Sequence, residues 1–131
     1  MNKICLSAVS VAALMGASIT RAQDPVKVDP KHYSVVLEND EVRVLHIHYA
    51  PGEKSVMHSH PDSVAVMLED MRTKMTYPDG KNEEMSLRKG AAVFTRAGVH
   101  QPENIGTGPI DLIQVELKKP VAKLERRAKK N

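Results

Sequence analysis

The residues of this chain that could do chemistry are histidines. His58-Ser59-His60 follows a turn, and His100 comes forty residues after His60. Residues i and i+2 of a strand point to one face, so an extended His58–His60 can turn both imidazoles onto one ion. A barrel that lays a later strand beside the first would add His100 as a third ligand. Neutral imidazole suits Fe, Mn, Zn, Ni or Cu. Three protein ligands leave coordination positions open, which separates a catalytic centre from a closed structural one. The expectation is one divalent transition metal on His58, His60 and His100. The residues alone leave two other roles open: anion binding, or acid and base work without a metal.

The neighbours of these histidines are weaker candidates. Asp62, Gln101 and Glu103 lie close in sequence to His60 or His100. Strand alternation turns adjacent residues to opposite faces, so none is well placed as a further ligand or as a partner to one. His46 and His48 form a second His-x-His, to be read as surface or pocket-lining residues or as hydrogen-bond partners of the metal ligands. His32 reads as an exposed residue. Arg96 is a candidate contact for a substrate carboxylate, which a guanidinium can hold bidentately.

The elements that must position these residues read as strands. Arg43, Leu45, Ile47 and Tyr49 share one parity; Val42, Val44, His46 and His48 share the other. Ala50-Pro51-Gly52 ends that run. Val64 to Leu68 is a short apolar stretch, consistent with a strand buried on both faces. Tyr77-Pro78-Asp79-Gly80 and Lys89-Gly90 are further turns, Ala91 to Phe94 is a short strand, and Ile110 to Leu117 is the last. Met67, Met71 and Met75 are spaced like a helix face, but β-branched neighbours and the Tyr-Pro-Asp-Gly turn favour strands, with the methionines as packing. Short strands with turns between them predict an all-β antiparallel sandwich or barrel.

Two stretches carry a family pattern. Gly52 is followed by five residues and then His58-Ser59-His60. Gly90 is followed by five residues, then Arg96-Ala97-Gly98-Val99-His100, with Asn104 after three more. Over about Val42 to Leu117 the chain resembles the cupin family, the RmlC-like small barrels. The departures are specific. The glutamate of the first motif would fall at Val64 or Ala65, the closing glycine of that motif is absent, the proline of the second is Arg96, and one residue is missing between Gly98 and His100. The resemblance implies an antiparallel double-stranded β-helix, the cupin or jelly-roll barrel, with a three-His site instead of three His and one Glu. It also implies a homodimer, and it makes dioxygenase-like chemistry on a small molecule possible. Without the carboxylate the site should stay more positive, favour anionic or enolate ligands, and hold metal more weakly.

Composition bounds the rest. The chain has 131 residues, enough for one domain. One Cys excludes an internal disulfide and a Cys-rich zinc module. Residues 1–22 read as a secretory signal peptide: Lys3, an uncharged run from Ile4 to Ile19, then Thr20-Arg21-Ala22. Cleavage there takes the 19 basic residues to 17 against 16 acidic, and removes Cys5. The mature protein is then expected in the periplasm or outside the cell, without a stable membrane anchor. The organisation expected is 23–41 as an N-terminal extension with a first strand, 42–117 as the barrel, and 118–131 as a basic tail. An acidic body, export and only 3% aromatic residues all oppose nucleic acid as a partner. No phosphate loop, serine-hydrolase elbow or H-E-x-x-H is present. The function expected is a metal-binding exported protein, possible as an oxidoreductase on a small anionic molecule; the alternative is a non-catalytic module that binds a small ligand or metal.

Overall fold

The computed structural model describes residues 23–119; the expected signal peptide and nearly all of the basic tail lie outside them. One short helix, α1 (Pro25–Val28), precedes nine strands: β1 (Tyr33–Glu38), β2 (Val42–Tyr49), β3 (His58–His60), β4 (Ser63–Met67), β5 (Met71–Thr76), β6 (Asn82–Leu87), β7 (Ala92–Thr95), β8 (Gly98–Asn104) and β9 (Ile110–Leu117). Among the described residues no helix is long and apolar enough to cross a membrane. The strands form a five-stranded sheet in the order β1-β2-β9-β4-β7 and a four-stranded sheet in the order β3-β8-β5-β6. The strand pairs are antiparallel. The expected all-β antiparallel barrel is what the chain forms.

Alternation along each strand builds the core. Leu45, Ile47 and Tyr49 of β2 face Ile110 and Leu112 of β9, Ala65 and Met67 of β4, Met71 of β5 and Tyr33 of β1. The spacing of Met67, Met71 and Met75 therefore belongs to two successive strands and not to a helix. The valines of β4 are half-buried on the outer face, so this strand is less enclosed than its apolar run suggests. Gly52 and Gly90 hold φ of 81° and 80°, a left-handed backbone that a Cβ disfavours. Gly52 N–H donates to the Asn104 carbonyl at 3.0 Å, and Gly90 N–H to that of Met67 at 2.8 Å. These two turns fix where β3 and β7 begin.

Two features of the sheets place the site. The β3–β8 register sets His58 opposite His100 and His60 opposite Gly98. The full-length pairing of β2 with β9 sets Arg43 beside Glu116. Ahead of them, residues 23–33 fold back against β3: the Ser59 N–H donates to the Gln23 carbonyl at 3.0 Å, and Asp24 caps α1 by accepting from the Val26 N–H at 3.0 Å.

Candidate metal centre

His58, His60 and His100 come together. One ligating atom from each lies within 4.8 Å of the others. The rings of His58 and His60 meet edge-on with centroids 4.9 Å apart, and those of His58 and His100 do so at 5.0 Å. His58 is fully buried and His60 nearly so.

The outer nitrogens are committed. His58 Nδ1 lies 2.8 Å from the Val56 carbonyl, which can only accept, so this nitrogen carries the ring proton. His60 Nδ1 lies 2.6 Å from Glu116 Oε1. Burial opposes ionisation of Glu116, but the bonds from His60 and Arg43 hold it below the usual carboxylate range. It is therefore a carboxylate, and His60 Nδ1 donates to it. The inner Nε2 atoms of the two rings face each other at 3.1 Å. Burial pushes the His58 imidazole down to about 4 and that of His100 down to about 3, so near neutral pH both rings are neutral and each has a nitrogen lone pair to offer a metal. The donor set fits a transition metal.

The chain of partners continues outward. Glu116 Oε2 accepts from Arg43 Nε at 2.6 Å, and Arg43 donates on to Asp24 Oδ2 at 2.7 Å. On the other side, Ser55 donates to Asp29 at 2.5 Å and its hydroxyl lies 3.4 Å from His58 Nδ1. The Tyr33 hydroxyl lies 3.0 Å from His58 Nε2 and accepts from the Tyr49 hydroxyl at 2.5 Å. Burial pushes both phenols above their ordinary range.

Tyr33, Tyr49, Arg43, Asp29 and Glu116 carry no motif and are absent from the sequence-based candidates. Two of them left a trace. Glu116 sits on the same parity of β9 as Ile110 and Leu112, and Arg43 on that of Leu45, Ile47 and Tyr49. A charge on an apolar parity marks a buried partner.

The other sequence candidates fall elsewhere. His32 is buried, not exposed as expected: it stacks on Tyr49 with centroids 4.3 Å apart, and its nitrogens lie 2.7 Å from Asp29 and 3.1 Å from Glu53. A turn after α1 folds it inward. His46 and His48 face outward, towards Asp111 at 2.6 and 3.7 Å, which agrees with the surface reading and not with a bond to the ligands. Gln101 donates to the Ser55 carbonyl, and Glu103 pairs with Lys74 at 2.9 Å. Asp62 accepts from the Ala97 N–H at 2.9 Å. Arg96 is exposed, with its guanidinium 5.2 Å above the Phe94 ring and 3.5 Å from Asp62.

A cavity of about 330 Å³ opens beside the histidines. His60 and His100 line it together with Tyr33 and Tyr49. The rest of the wall is mainly apolar, with Met67, Met71, Met75, Met85, Phe94 and Leu112 prominent, and among the described residues no Lys, Arg, Asp or Glu lines it. A larger surface groove, about 560 Å³ and lined by Asp70, Arg72 and Arg88 among others, holds none of the histidines.

No family model matches the chain, and no curated protein sequence matches it. Solved structures do. A cupin domain from Bordetella pertussis superposes with a TM-score of 0.62 at 22% identity, covering 66% of this chain and 92% of that one. An RmlC-like cupin family protein with a double-stranded β-helix fold from Methanocaldococcus jannaschii gives 0.53 at 17%, covering 71% and 84%. A protein with a double-stranded β-helix domain from Klebsiella pneumoniae gives 0.53 at 24%, covering 65% and 74%. Paired antiparallel sheets, glycine turns at both motif starts and this superposition agree that the chain has the cupin fold, a double-stranded β-helix.

Proposed function

We propose that this protein is an exported cupin oxidoreductase of dioxygenase type, holding one divalent transition metal on His58, His60 and His100. The observation that carries the metal is three imidazole nitrogens within 4.8 Å of one another, with the Nδ1 atoms of His58 and His60 held by Val56 and Glu116. The bound metal would supply Lewis-acid or O₂ chemistry at its open positions. The chain's own residues do the rest. Val56 and Glu116 fix the tautomer and tilt of two ligands. The cavity wall excludes water and takes the body of the substrate.

That wall narrows the substrate. An anionic or enolic head suits the metal, but among the described residues no basic side chain lines the cavity to hold a second charge. The substrate is a small molecule with one acidic or enolic oxygen head and an apolar body. In dioxygenase-type turnover O₂ is the oxidant and both its atoms enter the product.

Metal analysis of the exported protein, beside His58→Ala and His100→Ala, tests this. About one metal per chain, lost in both variants, supports the centre. O₂ consumption with small β-diketones and enols then separates an oxidoreductase from a module that only binds. No metal after reconstitution with Fe, Mn, Zn, Ni and Cu refutes the reading. Export is supported by the Lys3, Ile4–Ile19 and Ala22 pattern, and the mass of the mature N-terminus tests it. A homodimer is supported by Val35, Val36 and Leu37, exposed on edge strand β1, and sedimentation tests it.

A further inference from the structure

The phenol of Tyr33 stands against the inner nitrogen of His58. Its oxygen is 3.0 Å from His58 Nε2, the same atom that faces His60 Nε2 at 3.1 Å. Two donors each about 2.1 Å from one transition-metal ion stand about 3.0 Å apart at a right angle and about 3.4 Å apart in a tetrahedron. The 3.0 Å from Tyr33 Oη to His58 Nε2 is thus a separation that two ligands of one ion would also have. Tyr33 is 3% exposed, and its ring is fixed edge-on against that of His58 with centroids 4.9 Å apart.

Proton positions sharpen the point. His58 Nδ1 donates to Val56, so Nε2 is an acceptor and the Tyr33 hydroxyl donates to it. Tyr49 in turn donates to the Tyr33 oxygen. An ion on His58 Nε2 takes the lone pair that the Tyr33 proton now uses. The phenol is left beside a cation, with a fixed donor behind its oxygen and its present acceptor occupied. Tyr49 is one step farther out, with its ring stacked on His32.

Resting on the metal centre described above, we propose that Tyr33 is a fourth protein ligand, bound through its phenolate oxygen after release of its proton to solvent. It would supply the anionic oxygen that the first motif lacks at Val64 and Ala65. Tyrosine oxygen serves iron in this way in some haem proteins.

The test uses the full chain, exported and loaded with ferric or cupric ion. The expected result is a visible phenolate-to-metal charge-transfer band. Resonance Raman excited in that band shows tyrosine ring modes that shift when the protein is grown on ring-deuterated tyrosine. Tyr33→Phe keeps about one metal per chain, loses the band, and binds metal at least about tenfold more weakly. Tyr49→Phe keeps the band and moves it to longer wavelength, because the phenolate loses its hydrogen-bond donor. Should Tyr33→Phe fail to fold, the isotope shift and the Tyr49→Phe displacement decide the matter. One metal per chain without a band, or a band that survives Tyr33→Phe, overturns the assignment of Tyr33 alone. No metal at all in the native chain overturns the metal centre and this ligand together.

Discussion

Glu116→Gln is the sharpest perturbation of the site's support. Glu116 is 2% exposed and serves two donors, His60 Nδ1–H and Arg43 Nε–H, each at 2.6 Å. A carboxylate accepts from both. Glutamine has the same shape but offers one acceptor and one NH₂, so one of the two donors must face an amide N–H. A hydrogen bond to a charged group is worth about 1.5–3 kcal/mol, and breaking a buried ion pair costs about 3–5 kcal/mol. Arg43 keeps its bond to Asp24 and is partly exposed, which puts the loss near the lower end, about 2–3 kcal/mol. In a domain of this size that lowers Tm by roughly 10–20 °C. Metal affinity should fall about 10–100-fold, because His60 loses the partner that fixes its tautomer. Thermal unfolding of the metal-free protein and competition with a chromophoric chelator measure the two effects. A Tm within about 2 °C of native with unchanged metal affinity would refute this reasoning, including the assignment of His60 Nδ1 as donor.

Three further outcomes are expected. Asn104 is 1% exposed, donates to the carbonyls of Tyr49 and Gly108, and accepts from the Gly106 N–H; Asn104→Ala should cost about 2–4 kcal/mol in denaturant unfolding, and a loss under about 1 kcal/mol would show that the loop re-satisfies itself. In the metal-free protein the folded chain holds His58 at about 4 and His100 at about 3, while unfolded histidine titrates near 6.5. The unfolded state alone takes up these protons as pH falls below about 6.5, so stability is full above that pH and falls by about 3 kcal/mol or more on the way to pH 3; a flat midpoint between pH 7 and 4.5 would mean that the two rings are solvated. Ala65 lines the cavity from the middle of β4, so Ala65→Phe should block small-ligand binding, measured by calorimetry, while leaving about one metal per chain; unchanged ligand affinity would place the ligand elsewhere.

Parity and turns made the barrel legible, because each strand has one face inside and few ways to satisfy its backbone. The His58, His60 and His100 cluster was legible for the same reason: same-face spacing plus one strand pairing suffices. His32 shows where such reasoning stops. Its burial depends on α1 and the turn after it folding against β3, and nothing in the spacing around Lys31-His32-Tyr33 signals that contact. Tyr33 reaches His58 across the same long-range packing. Glu116 and Arg43 were half legible: their parity marks them as inward, but which partner each meets depends on the β2–β9 register. His46 and His48 had the right spacing and the wrong parity, since they alternate with the core residues of β2.

The missing glutamate leads from the sequence to a more positive and weaker metal site. That argument counts only groups that could touch the ion. The structure places an ionised carboxylate, Glu116, on the far nitrogen of His60, with 2% exposure. A carboxylate on Nδ1 makes the opposite nitrogen more basic and favours a cation there. Arg43 takes up part of that charge, and Asp24 beyond it returns a negative one. Asp29, buried behind Ser55 and His58, adds another. Beyond the oxygen proposed for Tyr33, compensation for a bound metal's charge would thus come from farther out, from residues supplied by β9 and by the segment that begins at Asp24. A direct ligand tolerates little change in position. A charge acting through an imidazole tolerates more, at the cost of tying metal affinity to how well that segment packs on β3. Trimming residues 23–31 should therefore weaken metal binding even though no proposed ligand is removed, and a truncated chain with native affinity would assign the charge balance to Glu116 and Arg43 alone.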